Sequence, residues 1–245
     1  MDVNQFSSYA RDLKSLLGLG SYPVGVILDD GTRPVMNSVI VEGHRYCQAL
    51  MRARRGEAVT LEPGGIACPA AARAFGFKGL PEGLRTGNGL VSFGIVSNPE
   101  VGKTMFERMP RLEEGSVKKI HLFPAALAEW LPDVIVVEDE VERLMWIVLS
   151  SLHVAGGERV RSDTAVLQAA CVDATIIPFL EDRPNMSFGC YGCRDATDVH
   201  GGEALIGFPA RLLGPITDHL EYLGRKAMPQ SREKGAFSRL AKPAG

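Results

Sequence analysis

Apolar residues recur every three or four positions at Val3, Phe6, Tyr9, Leu13, Leu16 and Leu17, which predicts an amphipathic helix over residues 3–17, ended by Gly18 and Gly20. Residues 22–28 (YPVGVIL) read as a strand closed by the turn Asp29-Asp30-Gly31. A helical stretch follows over residues 44–55, stopped by Gly56, and residues 57–62 look extended. Gly64-Gly65 leads to Cys68-Pro69 and a small-residue helix through Phe75. Residues 90–96 read as a strand, 100–109 as a short helix and 118–123 as another strand. The run DVIVV at 133–137 is continuous enough for a buried strand. Glu138, Asp139 and Glu140 then suit the first turn of a helix that continues with Val141, Leu144, Met145, Val148 and Leu152. Residues 163–180 read as a mostly apolar helix or helix–strand unit, 184–194 as a loop, 205–209 as a short strand and 212–223 as a last amphipathic helix.

Strands and helices alternate without fixed repeat, so the expected class is α/β or α+β, a mixed sheet flanked by helices. No linker divides the chain, and residues 1–228 are expected to form a single globular domain. Residues 229–245 turn polar and basic and are expected to be a loosely held tail.

Composition narrows the function more by exclusion than by assignment. The 245 residues are 45% hydrophobic and 23% charged, with a formal net charge of -2, values of an ordinary globular protein. A chain of this length buries roughly 70–75% of its unfolded surface and needs no staple to fold. Near-neutral charge argues against nucleic acid as a main partner, and the cluster Arg52, Arg54 and Arg55 reads as a solvated helix face. No basic segment followed by an apolar one opens the sequence, and no apolar run approaches the roughly 18–20 residues of a membrane span. The expected location is the cytoplasm, without membrane attachment. The oligomeric state is not legible.

The cysteines carry most of the chemical signal. Four of the five lie in short motifs of small and turn-forming residues: Tyr46-Cys47, Ala67-Cys68-Pro69 and Gly189-Cys190-Tyr191-Gly192-Cys193-Arg194. Cys171 lies in an apolar stretch. An odd count in a reducing compartment favours metal or redox chemistry over a disulfide framework. In Cys190-x-x-Cys193 the two intervening residues let both sulfurs face one side of a turn, and the flanking glycines let backbone amides approach them. Cys47 and Cys68, near expected element ends, supply the remaining two ligands of a four-sulfur site. Cys171 is either a core thiol or a substitute ligand.

All-sulfur ligation suits zinc and iron–sulfur clusters alike. The absence of a second Cys-x-x-Cys, and the size of the chain, favour a cluster of the [4Fe-4S] kind over structural zinc. Such a cluster implies electron transfer with a redox partner, or chemistry on a small anionic or sulfur-containing substrate. Arg45 and Arg194, beside the cysteine motifs, are the candidates to bind an anion. Two alternatives stand: a thiol–disulfide protein cycling Cys190 and Cys193, and a non-enzymatic accessory protein with structural zinc. Whether the protein is an enzyme stays open.

Other chemistries find less support. Of the five histidines, only His44 is spaced to reach the cysteine centre, with His200 a second-rank acid or base. Gly102-Lys103-Thr104 resembles the end of a phosphate loop, but Ser97 stands where its first glycine belongs and Pro99 intrudes. Dinucleotide, serine-hydrolase and zincin motifs do not occur.

The stretches Arg45-Tyr46-Cys47-Gln48-Ala49-Leu50, Gly56-Glu57, Cys68 with the helix ending in Phe75-Gly76-Phe77, Pro132-Asp133-Val134-Ile135, Ser187 to Arg194 and Gly207-Phe208-Pro209 together resemble an uncharacterised family, the domain of unknown function family 169. The resemblance covers residues 5–225. It implies one domain and a soluble, prokaryotic-type protein, and it brings no reaction with it.

Overall fold

A computed structural model describes residues 1–33 and 36–231; most of the expected tail, residues 232–245, lies outside the described residues. Its frame is one sheet of seven strands: β1 (Val24–Asp29), β2 (Val39–Val41), β3 (Val59–Leu61), β4 (Lys119–Pro124), β5 (Val134–Glu140), β6 (Asn185–Ser187) and β7 (Glu203–Pro209), in the order β2-β3-β4-β1-β5-β7-β6. Among the described strands only the β2–β3 pair is parallel; the other neighbours are antiparallel. This is the mixed, helix-flanked α/β sheet that the sequence predicts.

Side chains alternate between the faces because successive residues of a strand point opposite ways. Ile135, Val137, Ile206 and Phe208 pack under α1 (Val3–Leu17), α7 (Val141–Val154) and α10 (Leu213–Arg225). Val24, Val26, Leu122, Val134, Val136 and Leu205 face the other way, toward α2 (Tyr46–Arg54), α3 (Pro69–Ala74) and a π-helical segment, Ala169–Ile176. That second face carries the cysteines. No described helix is long and apolar enough to cross a membrane.

Local signals set many boundaries. The opening helix is capped by Asp2, whose carboxylate accepts from the Gln5 N–H, and it ends in the left-handed turn of Gly18. Pro69 begins α3 where the missing N–H costs nothing.

Three expectations are corrected. Residues 90–96 are not a strand: α5 (Asn88–Ser92) lies between α4 (Glu82–Arg85) and α6 (Pro99–Glu107), and a short apolar run does not distinguish a strand from a turn of buried helix. Gly102-Lys103-Thr104 sits inside α6. Glu138 and Asp139 do not open a helix but belong to β5; Glu140 both ends β5 and is the N-cap of α7, which starts at Val141. Their carboxylates find tertiary partners that sequence does not announce, since Glu138 meets Arg54 at 3.1 Å and Asp139 accepts from the Gly20 N–H at 3.0 Å and from Arg143 at 2.7 Å. Finally, residues 184–194 are more ordered than a loop, containing β6 and α9 (Tyr191–Ala196). A further short helix, α8 (Ile177–Glu181), continues directly from the π segment.

Candidate cysteine centre

Each cysteine stands at the start of a helix. Cys47 is in the first turn of α2, Cys68 is the N-cap of α3, Cys190 is the N-cap of α9 with Cys193 in its first turn, and Cys171 is the third residue of the π segment. These segments converge, so that all five cysteines line one cavity of about 340 Å³. None of the five forms a disulfide.

Convergence is built from specific bonds. The Ala67 N–H donates to the His44 carbonyl at 2.9 Å, tying the Cys68 turn to the residues before Cys47. Arg45 donates through Nη1 to the Gly192 carbonyl at 3.1 Å, and Gln48 Nε2 donates to the Ala196 carbonyl at 3.3 Å, so the first turn of α2 holds α9. Tyr46 is fully buried between the Phe75 ring, with centroids 4.9 Å apart, and the Thr175 hydroxyl at 2.8 Å.

The Cys190–Cys193 turn is fixed by Arg194. Its guanidinium donates to the carbonyls of Phe188 and His200, both at 2.6 Å, and of Glu203 at 2.8 Å. Those bonds employ Arg194 as a clamp on its own loop. Arg45 does line the cavity and pairs with Asp195 at 3.5 Å. His44 is half-buried, with Nδ1 2.8 Å from the Glu42 carbonyl, and neither it nor His200 lines the cavity.

Sulfur positions are close where they are measured. Cys190 Sγ and Cys193 Sγ are 2.9 Å apart, and the Cys193 N–H donates to Cys190 Sγ at 3.2 Å. Cys47 lies beside Cys193 and raises its thiol, and Cys171 interacts electrostatically with Cys68, Cys193 and Cys190. The backbone amides of Ala169 and Ala170, at the start of the π segment, act the other way, lowering Cys190 and Cys193 respectively. The first amides of a helical segment have no partner within it, and here they face the sulfurs.

Burial and mutual contact favour the protonated form of the buried thiols. Cys190 is raised well above the ordinary thiol range by its hydrogen bond with Cys193 and by burial, while the Ala169 and Cys193 amides pull the other way. For Cys193 the bond shared with Cys190 acts downward, but the contact with Cys47 and burial outweigh it. Cys171 is raised by burial and then by the neighbouring sulfurs. A bound cation reverses this balance, since thiolate ligation releases the protons.

The π segment is itself locked in place. Asp173, buried, accepts from the Thr164 and Ser187 hydroxyls, both at 2.7 Å, and burial pushes its carboxyl up to about 6. Asn185 Nδ2 donates to the Asp173 carbonyl at 2.9 Å. Val166 and Gln168, at the entry to the segment, adopt left-handed φ of 51° and 58°. Such a conformation is costly for a β-branched residue and persists where surrounding structure enforces it. Sequence reasoning placed Cys171 in apolar surroundings but missed the π geometry, for which no local signal exists. It likewise missed Asp173, Thr164 and Ser187, which meet only in the folded chain.

The chain has a relative in Methanocaldococcus jannaschii, an uncharacterized protein 27% identical over 226 residues, covering 91% of this chain and 96% of that protein. No solved structure matches it. The profile of the family described as uncharacterised ArCR, DUF169, matches residues 12–219, so the cysteine motifs and the sheet that gathers them lie within one family domain, and the chain belongs to the DUF169 family.

Proposed function

We propose that this protein binds an iron–sulfur cluster of the [4Fe-4S] kind through Cys47, Cys68, Cys190 and Cys193, with Cys171 a fifth thiol at the same cavity and the substitute ligand. The observation that carries the reading is that five cysteines from distant parts of the chain line one cavity. The residues fit the group. The donors are all soft sulfur, Cys190 Sγ already receives a backbone N–H bond of the type that tunes cluster potential, and the surrounding walls are largely apolar. Among the described residues no three His, Cys, Asp or Glu side chains gather tightly enough to hold one metal ion.

A bound cluster supplies one-electron redox chemistry or a Lewis-acidic iron. This chain's own residues set its surroundings: Arg194 and Arg45 hold the Cys190–Cys193 turn, and the Ala169 and Ala170 amides stabilise negative charge on sulfur. The proposed roles are electron transfer with a redox partner or cluster-assisted chemistry on a small molecule, in the reducing cytoplasm where five free thiols are stable.

A second reading rests on the 2.9 Å approach of Cys190 and Cys193 at the start of α9, which suits a dithiol that closes to a disulfide. Anaerobic purification with iron, zinc and acid-labile sulfide analysis separates the readings. Iron and sulfide in equal amounts, with visible absorption bleached by dithionite, support the cluster. A colourless protein with a titratable disulfide supports the dithiol, and one tightly held zinc supports a structural-zinc accessory protein.

A further inference from the structure

The cavity has a second wall that the thiols do not explain. Residues 78–111 leave the sheet-packed body as an excursion whose ends meet: the Leu112 N–H donates to the Ala74 carbonyl and the Gly115 N–H to the Gly76 carbonyl, both at 2.8 Å. The excursion holds α4, α5 and α6, which pack chiefly on one another. Their backbones nearly touch at glycines; a Cβ on Gly87 would fall 1.9 Å from the Pro99 carbonyl oxygen. The result is a helical flap with its own packing.

The flap turns Leu84, Leu90, Ile95 and Phe106 toward the cysteines across the cavity. Phe93, 72% exposed, and Tyr191, 68% exposed, belong to the same lining and stand as aromatics at its edge. Exposed aromatics beside an apolar recess are the ordinary dress of a small-molecule site. The cavity of about 340 Å³ is at the low end of the roughly 300–1,000 Å³ range of such sites, and with the proposed cluster on its cysteine side the flap side holds at most one ring and no folded partner element.

Charge selects the ligand. Arg45 and Asp195, the charged residues of the lining, already pair with each other at 3.5 Å. Thiolates bound to a cluster leave that side of the cavity electronegative. An anion entering would lose its hydration against apolar walls and face like charge.

We infer that the space between the flap and the cysteines is a binding site for a neutral, ring-sized apolar molecule, held against Leu84, Leu90 and Phe106 beside the thiols. This rests on the cysteine-centre reading for the like charge an anion would meet, and on the flap for the apolar fit. It replaces the anionic substrate expected from Arg45 and Arg194 with an uncharged one.

The test uses two probes of one shape, para-cresol, neutral at pH 7, and para-toluate, an anion, titrated by calorimetry into the full-length protein purified anaerobically. Cresol is expected to bind at least about tenfold more tightly than toluate. Phe106→Trp, which fills the cavity, and the milder Leu84→Phe on the half-buried flap face are each expected to weaken cresol binding by about tenfold or more, with unchanged circular dichroism for at least one of them. Toluate binding as tightly as cresol, or cresol binding indifferent to both folded variants, overturns the inference. Iron and sulfide are measured on the same samples. Cresol bound selectively by an iron-free protein supports the flap site while refuting the cluster, and an iron–sulfur protein that ignores cresol refutes the flap site while leaving the cluster intact.

Discussion

Gly207→Ala is the sharpest probe of how the fold makes the centre. Gly207 lies in β7, opposite Val136 on one side and Asn185 on the other, directly beneath the π segment. A Cβ there would sit 1.8 Å from the Ala174 carbonyl oxygen, 2.5 Å from its carbonyl carbon and 2.8 Å from its Cα. Ordinary contact begins at 3.4 Å, so the backbone of the π segment must retreat by about 1.6 Å. No side chain can flex to relieve this, because every atom met is main chain. Overpacking of this kind costs about 1–3 kcal/mol, and the loss of the Asp173 and Asn185 bonds adds to it. A chain of this length then melts lower by roughly 5–10 °C. The same retreat draws the Ala169 and Ala170 amides away from Cys190 and Cys193. The variant is therefore expected to fold at low temperature yet hold less than half the wild-type iron, with the site more easily stripped by chelator. Calorimetry and metal analysis on one preparation check both parts. Wild-type melting together with full iron content would refute the reasoning that the π segment's seat on β7 organises the centre.

Other substitutions test the supports one at a time. Arg194→Lys keeps the charge but cannot span the Phe188, His200 and Glu203 carbonyls, so it is expected to lose about 1–3 kcal/mol and part of the bound metal, read by denaturant melts and iron analysis. Glu138 is pushed up to about 7 by burial, against the pull of Arg54. The folded state then binds the extra proton between the ordinary carboxylate range and pH 7, so this group's contribution to stability falls as pH rises through that window. Glu138→Gln is expected to flatten the pH–stability curve between about pH 4.5 and 7, by on the order of 2–3 kcal/mol across the window, as followed by urea melts. Cys171→Ser separates a neighbour from a ligand: as a neighbour it leaves iron content unchanged, whereas Cys193→Ser empties the site.

What sequence made legible was whatever depends on near neighbours. The period of α1, its Asp2 and Gly18 ends, the buried run of β5 and the Pro69 start of α3 all follow from local rules. The cysteines were visible as candidates because their flanking glycines and proline are local too. Elements whose reason is tertiary were not visible. Glu138 and Asp139 extend β5 because Arg54 and Gly20 wait for them from distant segments. Leu90 and Ile95 look like strand residues, but in the flap Leu90 lies on α5 and Ile95 in the turn after it, both lining the cavity. Arg194, beside a cysteine, reads as an anion binder by charge and becomes a backbone clamp by geometry.

The proposed cluster is held by Cys47, Cys68, Cys190 and Cys193 with Cys171 beside it, and anaerobic metal and sulfide analysis of the wild type and its five Cys→Ser variants tests this most directly. Four irons and four sulfides per chain in the wild type, lost on substituting Cys47, Cys68, Cys190 or Cys193, are the predicted result for a [4Fe-4S] site. Metal-free wild-type protein, or iron content untouched by every one of the five substitutions, would contradict it.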